Sequence, residues 1–425
     1  MKSLAWSFVE RIFPRAASAL VMLGMTFFIS PATVGVYTLA ILAVTFFQSA
    51  TDASFRQIAV SAIDNEPGET FLRLYTRMVP GLGALFIACA LVLILAIGGG
   101  ATRNSVLAMV PLVAIPLLTA RRLSSVARMQ KSSRWSTLAK FQFLAAIGSF
   151  VVSVPILLLT RSLLAPTMQL VLTELIFTIS TVYHDRNNSE KTDSNPSRSD
   201  SRNITREFLH MSAYSILAWT QTQADRLLMG PIAGTEKLGQ YSVATSIARS
   251  AGDAISLSSA NVLRPQLLPA TGRSASSIRS TVNALLLRSS PLALAASLAT
   301  ILGVEYLLRP ILQPVWHPSL DAAVLLALTA WPTLISWCMT VVLLAAGRAR
   351  WAPFVKAFGI LLAVPIAIAA FHSIELAAIV VLGREVISTA LMLAISGKTA
   401  PTRAVLTYLP VFIALTGIVA LPLAF

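Results

Sequence analysis

Long apolar runs separated by short polar segments extend along the whole chain. About 20 apolar residues are enough for a helix to cross the hydrocarbon core of a bilayer. Because lipid offers the backbone no hydrogen-bond partners, spans in such a chain are predicted to be helices rather than strands. The pattern predicts an all-α polytopic membrane protein with thirteen spans, at 12–30, 35–60, 74–97, 104–120, 138–159, 164–183, 207–230, 238–259, 282–305, 319–346, 352–371, 374–396 and 404–423.

The basic residues indicate how these spans are oriented. If the N-terminus is cytoplasmic, nearly all Lys and Arg outside the spans fall on the cytoplasmic side, as the positive-inside rule requires. The opposite side then receives only Arg103, Arg161, Lys237 and Arg309. This distribution accounts for the net charge of +15 without a nucleic-acid partner. A cytoplasmic N-terminus is therefore predicted.

One long polar segment, 184–206, follows the sixth span. It is rich in Ser, Asn, Asp and Arg and lacks apolar periodicity, which is typical of a flexible linker. The sequence therefore predicts four parts. They are an N-terminal six-helix bundle (1–183), a cytoplasmic linker (184–206), a second six-helix bundle (207–396) and a C-terminal region of one or two helices (397–425).

A short internal repeat relates the second helix of each half. Gly35–Tyr37 aligns with Gly239–Tyr241, and both helices then carry polar groups. Because six spans separate the copies, both run in the same direction and the repeat is parallel. A Gly-x-Tyr start is also common at membrane interfaces, where Tyr belongs to the aromatic belt. The polar groups are Asp52 and Arg56 in the first half, and Arg249 and Asp253 in the second.

Ionisable residues inside the spans are the candidate functional groups, because each costs about 2.5–3.5 kcal/mol at the bilayer centre. Arg249 and Asp253 are four residues apart and share one helix face. They form either a structural ion pair or part of a cavity in which Arg249 binds phosphate. Asp225 is a second cavity candidate. The adjacent Arg226 is expected to point about 100° away from it, either into the cavity or towards the outer interface.

Four further groups have more than one interpretation. Arg15, Asp52 and Arg56 are the first-half counterparts by position, but both arginines also suit anchors at the cytoplasmic edge. Glu174 lies mid-span and is either a proton-titrating group or a satisfied structural carboxylate. The candidate proton-coupling groups are Glu174, Asp225 and Asp253. The adjacent Arg384 and Glu385 are predicted to form a local structural pair.

Sequence motifs of enzymes are missing from the chain. There is no Walker A, GxSxG or HExxH pattern, so neither ATP hydrolysis nor these hydrolytic chemistries are predicted. Cys89 and Cys338 lie in separate apolar runs, and the four histidines lack metal-ligand spacing. The sequence predicts a protein that is not an enzyme and that uses no cofactor and no metal.

The stretch QADRLLMGPIAGTEKLGQYSVATSIAR, 223–249, resembles the seventh and eighth helices of Wzx-type polysaccharide-unit flippases. These polysaccharide transporters belong to the multidrug/oligosaccharidyl-lipid/polysaccharide (MOP) exporter superfamily. The N-terminal region, with its Gly-x-Tyr start and Phe55–Arg56, is similar too. The resemblance implies two six-helix bundles that form a V-shaped central cavity, plus extra C-terminal helices. Thirteen spans depart from the twelve or fourteen that are usual.

The resemblance also implies the substrate, an oligosaccharide linked to undecaprenyl pyrophosphate in the bacterial inner membrane. Cationic residues of the cavity engage this anion in such flippases, and Arg15, Arg249 and Arg56 match by position. The expected partners are membrane lipid and the polymerase and chain-length proteins of a polysaccharide assembly complex. The product would be O-antigen, capsule or exopolysaccharide, and an ion gradient or the membrane potential would supply the energy.

Three alternatives remain open from the sequence. A multidrug/cation antiporter of the same superfamily should have an acidic cavity. A membrane-embedded polymerase or ligase would need catalytic groups at the outer face, where only Arg103, Arg161, Glu236, Lys237, Arg309 and His317 are candidates. A non-transporting scaffold of a polysaccharide assembly complex would fill its cavity with apolar side chains.

Overall fold

The computed structural model describes residues 17–53, 66–98, 103–132, 134–187, 201–267, 274–348 and 351–420, and all regular structure in these ranges is helical. The helices before the long polar segment are α1 (17–25), α2 (Pro31–Gln48), α3 (Glu66–Gly98), α4 (Arg103–Met109), α5 (Ile115–Lys131), α6 (Trp135–Thr160) and α7 (Leu164–Asn187). The predicted all-α membrane fold is confirmed.

The second half opens with one long helical stretch, Ser201–Leu267, which breaks at Gly234 into α8 (201–233) and α9 (235–267). Gly234 has φ 89°, a left-handed value at which a side chain would be strained. The remaining helices are α10 (Ala275–Leu302), α11 (His317–Ala327), α12 (Ala330–Ala345), α13 (Trp351–Leu361), α14 (Ala363–His372), α15 (Ile374–Ser396) and α16 (Thr402–Ala420).

The chain divides into two compact units, Met1–Gln223 and Ala224–Phe425. The division falls inside α8. The predicted linker of 184–206 stays a prediction, because residues 188–200 lie outside the described ranges.

The first unit is held together by close helix packing. One apolar core joins α5, α6 and α7 through Val126, Met129, Leu138, Ala145 and Phe177. A side chain at Gly83 in α3 would come within 2.3 Å of Phe47 and 2.6 Å of Pro116. Small residues let membrane helices approach each other closely in this way. Close packing stabilises the helices because lipid provides no hydrophobic force that would hold them together.

The second unit shows the same dependence on small residues. A Cβ atom at Gly252 in α9 would lie 2.7 Å from the Cβ of Ala330 in α12. The hydroxyl of Ser297 in α10 donates to the Ala327 carbonyl at 2.7 Å and ties α10 to the end of α11. The segment Pro314–Ala327 and α12 form an apolar pair of helices, with an angle of 47° between them.

Eight described helices are long and apolar enough to cross a membrane, or nine if the bent pair is one span. The protein is therefore a multi-pass membrane protein. Helices also occupy the other predicted positions, but they differ from simple apolar spans. The predicted span 352–371 is two short helices, α13 and α14. The spans predicted at 207–230 and 238–259 lie in α8 and α9, which are not among the apolar candidates.

Replacing Gly252 tests the close approach of α9 and α12. We expect Gly252→Ala to lower the free energy of unfolding by about 1–3 kcal/mol, because the added methyl group overlaps Ala330. Gly417→Ala in α16 is the matched control, since nothing lies within 4 Å of its added methyl. Thermal unfolding of the purified variants in detergent provides the comparison. Equal midpoints for the two variants would contradict the observed packing.

Candidate functional site

The internal repeat has the same register in both halves. Gly35 and Tyr37 are the fifth and seventh residues of α2, and Gly239 and Tyr241 are the fifth and seventh residues of α9. Both tyrosines are buried. Their hydroxyl partners differ, because Tyr37 lies 3.4 Å from the Pro166 carbonyl whereas Tyr241 donates to a carboxylate.

That carboxylate is Asp225 of α8, which is only 2% exposed. The Tyr241 hydroxyl donates to its Oδ2 at 2.7 Å, and the Arg226 amide donates to its Oδ1 at 2.9 Å. Arg384 of α15 places its Nη1 4.0 Å from Oδ2. Three helices, α8, α9 and α15, therefore meet around one buried carboxylate, which a bilayer interior tolerates only when such partners are present.

Arg384 links this carboxylate to a second one. Its side chain is 4% exposed, and its Nη2 donates to Oε1 of Glu385 at 3.0 Å. The same Oε1 lies 3.6 Å from Nη2 of Arg249 in α9. Arg384 Nη1 has no hydrogen-bond partner within the described part of the chain, so Asp225 holds it by charge alone. The predicted local pair of Arg384 and Glu385 is thus part of a larger network.

Arg226 also turns towards this network. Its Nη2 donates to the Thr245 hydroxyl of α9, one turn beyond Tyr241. Asp225 and Arg226 were expected to point about 100° apart, yet both side chains reach α9. The arginine side chain is long enough to reach Thr245. Thr245 lies on the same face of α9 as Tyr241, because the two residues are four apart. The alternative that Arg226 extends towards the outer interface is not observed.

Asp253 completes the group, one turn beyond Arg249, in the electrostatic field of both Arg226 and Arg249. We call the six residues Asp225, Arg226, Arg249, Asp253, Arg384 and Glu385 the charged cluster. It contains three guanidinium and three carboxylate groups and so has no net formal charge. Asp225 and Arg384 are buried, whereas the other four members are partly accessible, with Arg249 and Glu385 at 20% and 16% side-chain exposure.

The first-half candidates lie largely beyond the described residues. Arg15 and Arg56 are outside the described ranges, and the side chain of Asp52 is not described. In the repeat register the fifteenth residues are Thr45 of α2 and Arg249 of α9. Thr45 accepts a hydrogen bond from Trp219 Nε1 at 3.1 Å. The position of Arg249 is therefore occupied by a neutral residue in the first half.

Glu174 has a partner of its own in the first unit. Arg122 of α5 donates to Glu174 Oε2, and the Arg122 guanidinium lies 5.0 Å from the centre of the Phe177 ring. The side chain of Arg122 is 7% exposed, so it lies in a helix packed inside the unit and not in a loop. This geometry favours the interpretation of Glu174 as a satisfied structural carboxylate.

Sequence reasoning missed the contribution of Arg384, Glu385 and Tyr241 to one site. A signal was present, because Arg384 and Glu385 lie in the middle of an apolar 23-residue helix. Adjacency favoured a local pair, and no sequence pattern indicates that α15 meets α8 and α9. Among the described residues, no group of His, Cys, Asp or Glu side chains could hold a metal ion.

A family profile described as "Polysaccharide biosynthesis protein" matches residues 25–321, well over half of the 425-residue chain. The chain belongs to this polysaccharide biosynthesis family. The match includes α8 and α9 with Asp225, Arg226, Arg249 and Asp253, but it ends before α15. No curated protein was found to be similar to the chain by sequence.

Solved structures with the same fold are membrane transporters. One is a multidrug resistance MATE family transporter of the MOP superfamily in an inward-facing conformation, with TM-score 0.66 and 12% identity over 92% of this chain and 97% of that one. Another is MATE in the straight conformation, with TM-score 0.64, 13% identity and coverage of 98% and 97%.

A third is a MOP superfamily transporter from Pyrococcus furiosus, with TM-score 0.59 and 12% identity over 93% of this chain and 94% of that one. Its description states that reverse polarity of its binding pocket suggests a different function. The predicted membership of a polysaccharide biosynthesis family is confirmed, and the fold is that of these transporters, with two repeat bundles. The V-shaped cavity stays a prediction.

Removing Arg384 tests the charged cluster in this family member. We expect Arg384→Gln to lower the free energy of unfolding by about 3–5 kcal/mol, because Asp225 would keep a buried charge without its arginine. Adding Asp225→Asn should restore part of the loss. A double-mutant cycle of unfolding midpoints measures this coupling. Losses that simply add would show that the two side chains do not stabilise each other.

Proposed function

We propose that this protein is a flippase that moves an undecaprenyl-pyrophosphate-linked oligosaccharide across the bacterial inner membrane for polysaccharide synthesis. The family supports a role in polysaccharide synthesis, and the fold supports transport. The observation that carries the proposal is an arginine deep in a helix bundle, Arg249, held by a carboxylate at 3.6 Å and still partly accessible. A pyrophosphate is the anion that can displace such a carboxylate.

The chemistry of this exchange follows from the guanidinium group. Arginine binds phosphate oxygens through two parallel N–H groups, and these charge-assisted bonds are about twice as strong as neutral ones. The distance of 3.6 Å between Arg249 and Glu385 is longer than a hydrogen bond, so little is lost when Arg249 turns to a substrate. Glu385 keeps its 3.0 Å bond to Arg384 during the exchange.

The first-half residues Arg15, Asp52 and Arg56 remain proposed members of the substrate site. The proposed energy source is an ion gradient or the membrane potential. Glu174, Asp225 and Asp253 are the proposed proton carriers.

The balance of charge in the cluster disfavours a cation antiporter. A site for cationic drugs needs an excess of carboxylates, because each buried cation requires a compensating charge. The charged cluster has three arginines for its three carboxylates and offers no such excess. A fold shared with multidrug transporters does not fix the charge of the substrate.

The groups available at the predicted outer face also disfavour a polymerase or ligase. Arg309 is engaged by Glu305 and Asp321, and the Arg161 guanidinium lies 5.5 Å from the centre of the Phe28 ring. A catalytic arginine must be able to reach a substrate, whereas these two have structural partners within their own units.

Replacing Arg249 tests the flippase proposal. We expect Arg249→Ala to abolish surface polymer in cells that lack their own copy of the gene, while the lipid-linked unit accumulates in the inner membrane. The physical reason is the loss of the guanidinium that receives the pyrophosphate. Arg249→Lys keeps the charge without the two-pronged geometry and should restore only part of export.

Controls for this experiment come from the same helix. Arg264→Ala removes an exposed arginine near the end of α9 and should leave export unchanged. Immunoblots must show equal protein levels for all variants. Normal polymer export by Arg249→Ala would remove this residue from the mechanism, and drug resistance conferred by the wild-type protein would support the antiporter instead.

A further inference from the structure

The second unit contains a basic pocket that shares no lining residue with the charged cluster. It lies between the N-terminal part of α10 and the start of α16, and its volume is about 380 Å³. Two arginines line it, Arg279 of α10 and Arg403 of α16, together with the hydroxyl groups of Ser276 and Ser280. We call this the α10–α16 pocket. None of its lining residues is acidic.

The two arginines are available to a ligand. Arg279 uses only its Nε, which donates to the Lys398 carbonyl at 2.8 Å, and its two terminal amino groups stay exposed. Arg403 is exposed, and none of the described side chains pairs with it. Lys398 is the residue whose carbonyl accepts this bond from Arg279. Arg348 donates to the carbonyl of Ile395, three residues before Lys398. Two arginines therefore line one pocket, where like charges repel unless an anion lies between them.

The pocket also has an apolar end. Ala284 and Leu287 line it one to two turns further along α10, and the Tyr408 hydroxyl of α16 donates to the Leu287 carbonyl at 3.0 Å. Asn283 accepts from the Ala404 amide at 3.0 Å, which fixes the two helices to each other. The lining thus changes from hydroxyl and guanidinium groups to hydrocarbon within about three helical turns. This gradient fits an amphipathic ligand.

The lengths of the two helices indicate where the pocket lies in the bilayer. The span Ala275–Leu308 has 34 residues, about 51 Å at 1.5 Å per residue, whereas the hydrocarbon core is about 30 Å thick. Its first turns therefore extend into the head-group region. The 18-residue span Thr402–Val419 is only just long enough to cross, so Arg403 also lies at the edge. The positive-inside rule assigns this edge to the cytoplasmic leaflet.

We infer that the α10–α16 pocket binds the phosphate head group of an anionic phospholipid. The arginines and serines hold the phosphate, and Ala284 and Leu287 contact the glycerol and the upper acyl chains. Basic pockets between transmembrane helices on the cytoplasmic side are suited to anionic head groups. The bound lipid screens the two arginines and joins α16 to α10. This site is independent of the proposed transport reaction.

The test uses the full chain purified in a neutral detergent. Phosphatidylglycerol, phosphatidylcholine or inorganic phosphate is added, and native mass spectrometry counts retained lipids while thermal unfolding gives the midpoint. Phosphatidylglycerol should be retained and should raise the midpoint, and phosphatidylcholine should do neither. Arg403→Gln should weaken the retention of phosphatidylglycerol about fivefold, because the variant loses the contribution of one basic group to lipid binding. Because Arg403 has no side-chain partner, this variant should fold normally.

Arg279→Gln provides a second, independent variant with the same expected loss. Arg264→Gln is the matched control, since it removes one exposed arginine of another helix and should retain phosphatidylglycerol like the wild type. Equal retention by Arg403→Gln, Arg279→Gln and Arg264→Gln would overturn the proposal. A midpoint shift of the same size with inorganic phosphate would assign the pocket to free phosphate and overturn the lipid part.

Discussion

The burial of Asp225 is the constraint on which the second unit depends. A carboxylate in a dry helix bundle must be neutralised and hydrogen bonded, and three helices supply the groups that do so. Tyr241 brings α9, Arg384 brings α15, and the Arg226 amide belongs to α8 itself. Because each partner comes from a different helix, the network fixes how these helices pack. The break at Gly234 makes this possible, since it lets α9 turn against α8.

The two halves of the chain share a register but not a charge distribution. Asp225 lies ten residues before the start of α9, and the residue ten before the start of α2 is Val21, which is buried. Thr45 occupies the position of Arg249. The helix at the sixth predicted span of each half carries an ionisable residue at its eleventh position, Glu174 in α7 and Arg384 in α15. The repeat thus preserves the arrangement of the helices. The charged cluster, in contrast, belongs to the second half.

Hydrophobic runs predicted the fold because most of the spans are apolar helices, although α8 and α9 are not among the apolar candidates. The same physics explains where prediction failed. Residues 352–371 have the composition of one span, but Pro365 cannot donate to the carbonyl of Leu361 four residues earlier, and the break between α13 and α14 falls there. The sequence indicated Asp225 and Arg249 as candidate functional residues because a charged side chain is energetically costly in lipid. The role of Arg384 depends on a contact between helices more than 150 residues apart, which no spacing rule provides.

The charged cluster and the α10–α16 pocket differ in whether carboxylates compensate their arginines. This difference determines how easily a bound phosphate is released. The arginines of the charged cluster are already compensated, so an arriving phosphate must displace a carboxylate and gains only the difference between the two interactions. The arginines of the α10–α16 pocket have no carboxylate among the lining residues, so a phosphate there gains the whole interaction. A transporter must release what it binds, and a site that is too favourable would retain its substrate. Compensation therefore suits Arg249 to a passing substrate, and its absence suits Arg279 and Arg403 to a resident lipid.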